Sequence, residues 1–137
     1  MFVKTLQLSI SSSKKFEIID ITSEIQNLID EIKISEGIVN VFTKHSTSSI
    51  LINENEEGLL KDFENILNDL VKENNSYFHD NIDNNASSHL KSFLLSSSET
   101  IPIMNSTLDL GTWQSIFFID LDGPRANRKI NLTFIGE

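Results

Sequence analysis

A chain of 137 residues, 39% of them hydrophobic and nine of them phenylalanine, has apolar surface enough for one domain on a single core and little room for a second. It contains no cysteine, which excludes disulfide scaffolds, thiolate-ligated metals and thiol nucleophiles and fits a reducing, cytoplasmic setting. A formal net charge of −9, from 20 acidic and 11 basic residues that gather into no basic stretch, argues against nucleic acid as a partner, and no apolar run reaches the length of a membrane span.

The opening MFVKTLQLSI alternates apolar and polar residues, with Val3, Leu6, Leu8 and Ile10 apolar, and so reads as a strand and not as a signal peptide. After the Ser-Ser-Ser-Lys-Lys turn, Phe16 to Ile21 reads as its hairpin partner. From Ser23 the period becomes helical: Ile25, Leu28, Ile29 and Ile32 share a face, and Ser23 with Gln26 has the form of a capping box. Gly37 restarts the chain, and 38 to 43 and 48 to 52 are β-branched and apolar enough for two strands, with His45 in or beside their connection. Glu56 to Lys72 spaces its apolar residues as a helix does, with acids at its start and a lysine at its end. The Asn-rich stretch 74 to 85 is too polar for core and reads as a loop, followed by a short helix, Ala86 to Leu95, that carries His89 and turns Leu90, Phe93 and Leu94 inward. Strands at 99 to 104, 115 to 121 and 129 to 135 close the chain, the last two separated by the turn Asp122-Gly123-Pro124. The order ββαββααβββ, with strands arriving in pairs, predicts one α+β domain over 1–137. It is a two-layer arrangement, a mostly antiparallel sheet with helices on one face.

Strand ends need one or two polar groups to satisfy them. The segment FTKHSTSSILINEN, residues 42 to 55, holds far more: an imidazole, a run of hydroxyls, amides and a carboxylate, a mixture that points to a held ligand. The three histidines, His45, His79 and His89, match no local zinc signature in their spacing. They read as ligands of one divalent ion, as surface or capping residues, or as acid and base without a metal. Glu54 reads as a general base, a metal ligand or an ordinary helix-start acid. Trp113 offers a stacking face or a core residue, and Gln114 beside Gly111 a bidentate hydrogen-bonder. Arg125, on the turn DGPR, is placed either to grip an anion or to pair with Asp122.

Taken together and in order, KHSTSSILINEN, YFHD, NNASSHLKS, LGTWQSIFF, DLDGPR and the closing IGE resemble the YjbQ-like family, over nearly the whole chain. The resemblance implies an α+β fold assembled as a homotrimer and the activity of a secondary thiamine-phosphate synthase. That reaction joins hydroxymethylpyrimidine diphosphate to thiazole phosphate with loss of pyrophosphate, so the partner is a small anionic metabolite. It further implies catalytic roles for His45, Thr47 and Glu54, substrate contacts from Asn53, Trp113, Gln114 and Arg125, and a divalent metal, Zn or Mg, on His45, His79 and His89. A metal-dependent hydrolase and a non-catalytic metabolite-binding protein are the alternatives. Asn84, Ser96 and Ser106 stand where the family often has glycine, and Asp120 where it has glutamate. The serines would strain or reshape their turns, and Asp120 would lose reach to any substrate or metal it touched.

Overall fold

Period-two alternation becomes strand at each expected place, and the strands sort into two sheets. The computed structural model describes residues 1–137. It runs β1 (Phe2–Ile10), β2 (Glu17–Asp20), α1 (Thr22–Ile32), β3 (Gly37–Thr43), β4 (Ser48–Asn53), α2 (Glu57–Leu70), a 3-10 turn (Phe78–Asn81), α3 (Ala86–Leu95), β5 (Ser98–Met104), β6 (Thr107–Leu108), β7 (Ser115–Asp120) and β8 (Arg128–Gly136). One sheet has the order β1-β8-β3-β5-β6 and the other β2-β7-β4. All pairs are antiparallel. The fold is α+β, as expected.

The two sheets face each other across the main core. Val39, Val41, Ile130, Leu132 and Phe134 of the larger sheet meet Ile50, Ile116 and Phe118 of the smaller, and α1 adds Ile25 and Ile29, all wholly buried. Burying each such side chain contributes about 1.5–3 kcal/mol. On its other face the smaller sheet presents Phe117 and Ile119 to Leu60 and Phe63 of α2. The opposite face of the larger sheet lies open, with Val3, Ile38, Phe42, Met104 and Ile135 exposed. Where β3 begins, Gly37 lies opposite Gly136. A β-carbon on either would collide with a neighbouring carbonyl, so both must be glycine.

Three local expectations are corrected. The first two strands form no hairpin: β1 pairs with β8 and β2 with β7, so the Ser-rich turn between them carries the chain from one sheet to the other. Ser23 does not cap α1; the Asp20 carboxylate accepts from the Thr22 N–H at 3.0 Å and the helix starts one residue earlier. Gln26 instead reaches β6, its Oε1 accepting from the Leu108 N–H and its Nε2 donating to the Ser106 carbonyl, each at 3.0 Å. That short strand had no sequence signal.

Candidate functional site

Thr47, Asn53, Glu54, Trp113 and Gln114 lie in or just beyond strands β4 and β7, at two ends of the pair. Ser48 faces Asp120 at one end of the pair and Asn53 faces Ser115 at the other. Five residues of strand separate the ends, about 17 Å at the usual rise.

At the first end, His45 sits in the β3–β4 connection and its Nε2 accepts the Lys129 backbone N–H at 2.8 Å. The neutral imidazole therefore carries its proton on Nδ1. Burial and the guanidinium of Arg128 hold its pKa below the ordinary 6.5; Asp120 pulls the other way and is outweighed. Beneath it lies an ion pair that spacing alone did not reveal. Arg128 donates from Nη2 to Asp120 Oδ1 at 2.8 Å, from Nε to Asp120 Oδ2 at 3.2 Å, and from Nη2 to Thr47 Oγ1 at 3.0 Å. Asp120 is wholly buried and also accepts from the Ser12 hydroxyl at 2.5 Å and the Asp122 N–H at 3.1 Å. Burial pushes its carboxyl up, but these donors prevail and hold it below the usual range. The reach of Asp120 is thus spent inside the protein, on Arg128. The Thr47 hydroxyl, only 6% exposed, orients the guanidinium.

The network continues to the histidines. Arg125 does pair with Asp122, Nη2 to Oδ2 at 3.2 Å, yet its side chain stays half exposed. Asp122 also accepts from Asn85 Nδ2 at 2.9 Å, and Asn85 Oδ1 lies 3.2 Å from His79 Nε2. Since the Asn85 amide donates to Asp122, its oxygen accepts and His79 carries its proton on Nε2. The His79 and His89 rings meet edge to face, centroids 4.9 Å apart. His89 also shares a serine-lined cavity of about 300 Å³ with Ser46, Ser92 and Ser96. The three imidazoles do not form one ligand set within this chain. His45 points its Nε2 at the Lys129 amide, and nowhere do three histidine, aspartate or glutamate side chains converge to hold a metal.

At the second end the bland readings of two residues fail. Glu54 is not the helix-start acid: Glu56 caps α2, accepting from the Gly58 N–H at 2.5 Å and the Leu59 N–H at 3.0 Å. Trp113 is no core residue, being 72% exposed. Asn53 accepts the Glu54 N–H at 2.8 Å, and Gln114 Oε1 accepts the Gly111 N–H at 2.8 Å, which shapes its own loop. Asn53, Glu54, Trp113 and Gln114 thus share one end, and His45, Thr47, His79, His89 and Arg125 the other. Arg128 was the residue sequence reasoning missed. Its signal was parity, because it precedes Ile130, Leu132 and Phe134 on the inward face of β8.

Known proteins share this arrangement of elements. A sequence model of the family described as UPF0047 protein YjbQ-like matches residues 6–137. A UPF0047 protein of Methanothermobacter thermautotrophicus is 50% identical over 137 residues, 100% of this chain and 95% of its own length. YugU of Bacillus subtilis, also a UPF0047 protein, is 33% identical over 129 residues, 90% of this chain and 92% of its own. A YbjQ-like protein of unknown function from Sulfolobus solfataricus superposes with a TM-score of 0.95 at 34% identity, over 99% of each chain. An uncharacterised YjbQ/UPF0047 protein of Clostridium acetobutylicum does so with a TM-score of 0.89 at 36% identity, over 95% of this chain and 99% of its own. Sequence and fold agree from one end of the chain to the other: it belongs to the YjbQ-like UPF0047 family.

Proposed function

We propose that the His45 end binds a small phosphorylated metabolite and that the reaction is the joining of hydroxymethylpyrimidine diphosphate to thiazole phosphate. The observation that carries the anionic ligand is local charge. In a chain of net charge −9, Arg128, Arg125 and Lys44 all act on His45, while the nearby carboxylates, Asp120 and Asp122, are engaged by the two arginines. In the proposed step the thiazole nitrogen attacks the pyrimidine methylene carbon, the carbon–oxygen bond to the diphosphate breaks, and pyrophosphate leaves with the electron pair. Arg125 and Lys44 hold the departing anion and His45 donates to it from Nδ1–H. Thr47 acts as a positioning residue through Arg128.

Trp113 is the stacking face for a heterocycle, with Asn53, Glu54 and Gln114 beside it, but the span between the ends is too long for one small molecule within a protomer. We therefore place each site across a boundary between copies of a cytoplasmic homotrimer. The open face of the larger sheet supports such an assembly. Its outward residues, every second one along Val3–Ser9, Ile38–Phe42, Ser98–Met104 and Lys129–Ile135, include no carboxylate, so acidic chains can meet there without repulsion. A divalent ion, Zn or Mg, would add to His79 and His89, and no step is assigned to it. The adjacency of those two rings favours a second reading, hydrolysis of a phosphorylated metabolite.

Titration with inorganic pyrophosphate tests the anion site. Arg125→Ala is expected to weaken binding about tenfold or more and to leave an uncharged thiazole alcohol unaffected. Equal losses for both ligands would remove the guanidinium from the site, and release of inorganic phosphate from the diphosphate without product would favour hydrolysis.

A further inference from the structure

We infer that the cleft between α2 and the smaller sheet is a second binding site, for a small organic cation carrying an aromatic ring. The first half of α2 packs on the smaller sheet through Leu60 and Phe63, both only partly buried. Only Leu67 of that helix is buried, and beneath it lies a cavity of about 310 Å³. Its walls include Ile18, Leu51, Leu60, Phe63, Phe117 and Ile119, and its polar rim is Asn53, Glu54 and Asp62. The volume falls in the range of small-molecule sites, and a few polar groups on mostly apolar walls is their usual make-up.

The rim decides the sign of the ligand. Glu54 and Asp62 accept no hydrogen bond and pair with no cation through their carboxylates. The neighbouring cleft, which shares Ile18 and Leu60, adds Glu17, Glu56, Glu57 and Glu64 against Lys14 and Lys61 alone. Anions are repelled there, and an uncharged apolar ligand would leave the acids unused. An ammonium gains from two unpaired carboxylates while its ring packs between Phe63 and Phe117, whose faces also favour positive charge. The cleft shares Asn53 and Glu54 with the Trp113 end assigned above to the heterocycle, but its walls are separate residues of α2 and the smaller sheet. It lies at the far end of β4 from His45 and stands whatever the His45 end binds.

Two probes of one shape and opposite charge test it, 1-naphthylmethylammonium and 1-naphthoate, each titrated into the full chain and followed by amide shifts in NMR. The cation is expected to bind about tenfold or more tightly than the anion, with shifts at Leu51, Phe63 and Phe117. Asp62→Asn combined with Glu54→Gln, both on the rim and away from the core, is expected to erase the preference. Leu60→Trp, which fills the cleft, is expected to abolish binding of both probes. Equal binding of the two probes by the unaltered chain, a preference that survives the rim substitutions, or shifts confined to the His45 end would each overturn the inference. Pyrophosphate binding at Arg125 is read separately, so failure of one site leaves the other standing.

Discussion

Ser96 closes α3 at φ 77 and ψ 167, a region that glycine occupies freely and a β-carbon resists. Its carbonyl accepts the Ser49 hydroxyl at 2.5 Å, so the strained turn is held in place beside the His89 cavity. Relief of strain outweighs the extra freedom glycine gives the unfolded chain, and Ser96→Gly is expected to stabilise the protein by about 1 kcal/mol in urea titration. Ser106, at φ 62, is the second place where serine stands for a family glycine in a left-handed turn, while Asn84 takes no positive φ. His45 sets a second expectation. Its folded pKa lies below its ordinary value, so the unfolded chain binds the proton more readily. Its contribution to stability is complete above about 6.5 and is lost as pH falls below that toward the folded value. Thermal midpoints should therefore decline between pH 7 and 5.5, and His45→Gln should flatten that part of the profile. A profile unchanged by the substitution would mean that His45 does not titrate there. His45 and Arg125 stand out in the sequence as polar residues in connections between strands. Arg128 was hidden because a charge at an inward strand position has meaning only once its partner, eight residues away on another strand, is known.

Among the elements, α3 is anchored by a lysine. Lys91 is almost wholly buried, its Nζ donating to Asn68 Oδ1 at 3.0 Å and to Glu73 Oε1 at 3.3 Å. Burial raises the Glu73 carboxyl, but the Ser87 hydroxyl, Lys91 and Lys15 outweigh it and the group titrates below its ordinary value. A depressed carboxylate stabilises above its unfolded pKa, near 4.5, and that contribution disappears as pH falls through the folded value. At pH 7 Glu73→Gln leaves the buried ammonium with weaker partners and is expected to lower stability by about 1–2 kcal/mol, discounted for the half-exposed carboxylate. An equal loss at pH 3 would point to packing instead. Helix periodicity located α1 and α2 because each has one apolar face, but at α3 it picked the wrong face. Leu90, Phe93 and Leu94, which the spacing turns inward, are exposed, and the helix buries Ala86, Ser87, Ser88 and Lys91 instead. Periodicity could not tell which strands pair: β1 and β2 look like a hairpin, yet each finds its partner in the second half of the chain. Alternation specifies which face is buried and is silent on the neighbour.

For the whole molecule, the separation of the two ends becomes a statement about assembly. Across the open sheet face, Thr5 and Thr133 hydroxyls meet at 3.2 Å, Gln7 donates to Asn131 at 3.0 Å and Asn40 to Thr100 at 3.0 Å. Polar groups that already bond one another in part, bordered by Val3, Ile38 and Ile135, lower the cost of drying this surface against a partner. Thr133→Glu puts a carboxylate at its centre. Light scattering should show three chains per particle for the unaltered protein and one for the variant, with circular dichroism unchanged. Three chains in both would move the contact elsewhere. If the sites lie between copies, two inactive variants should rescue each other. A His45→Ala chain still supplies a sound second end and a Trp113→Ala chain a sound first end. Refolded together in equal amounts, they should form about one intact site in four by random assortment around the ring. Recovery near a quarter of the unaltered rate supports a shared site. No recovery, in particles shown by mass to be mixed, would confine both ends to one chain and leave the distance between them unbridged.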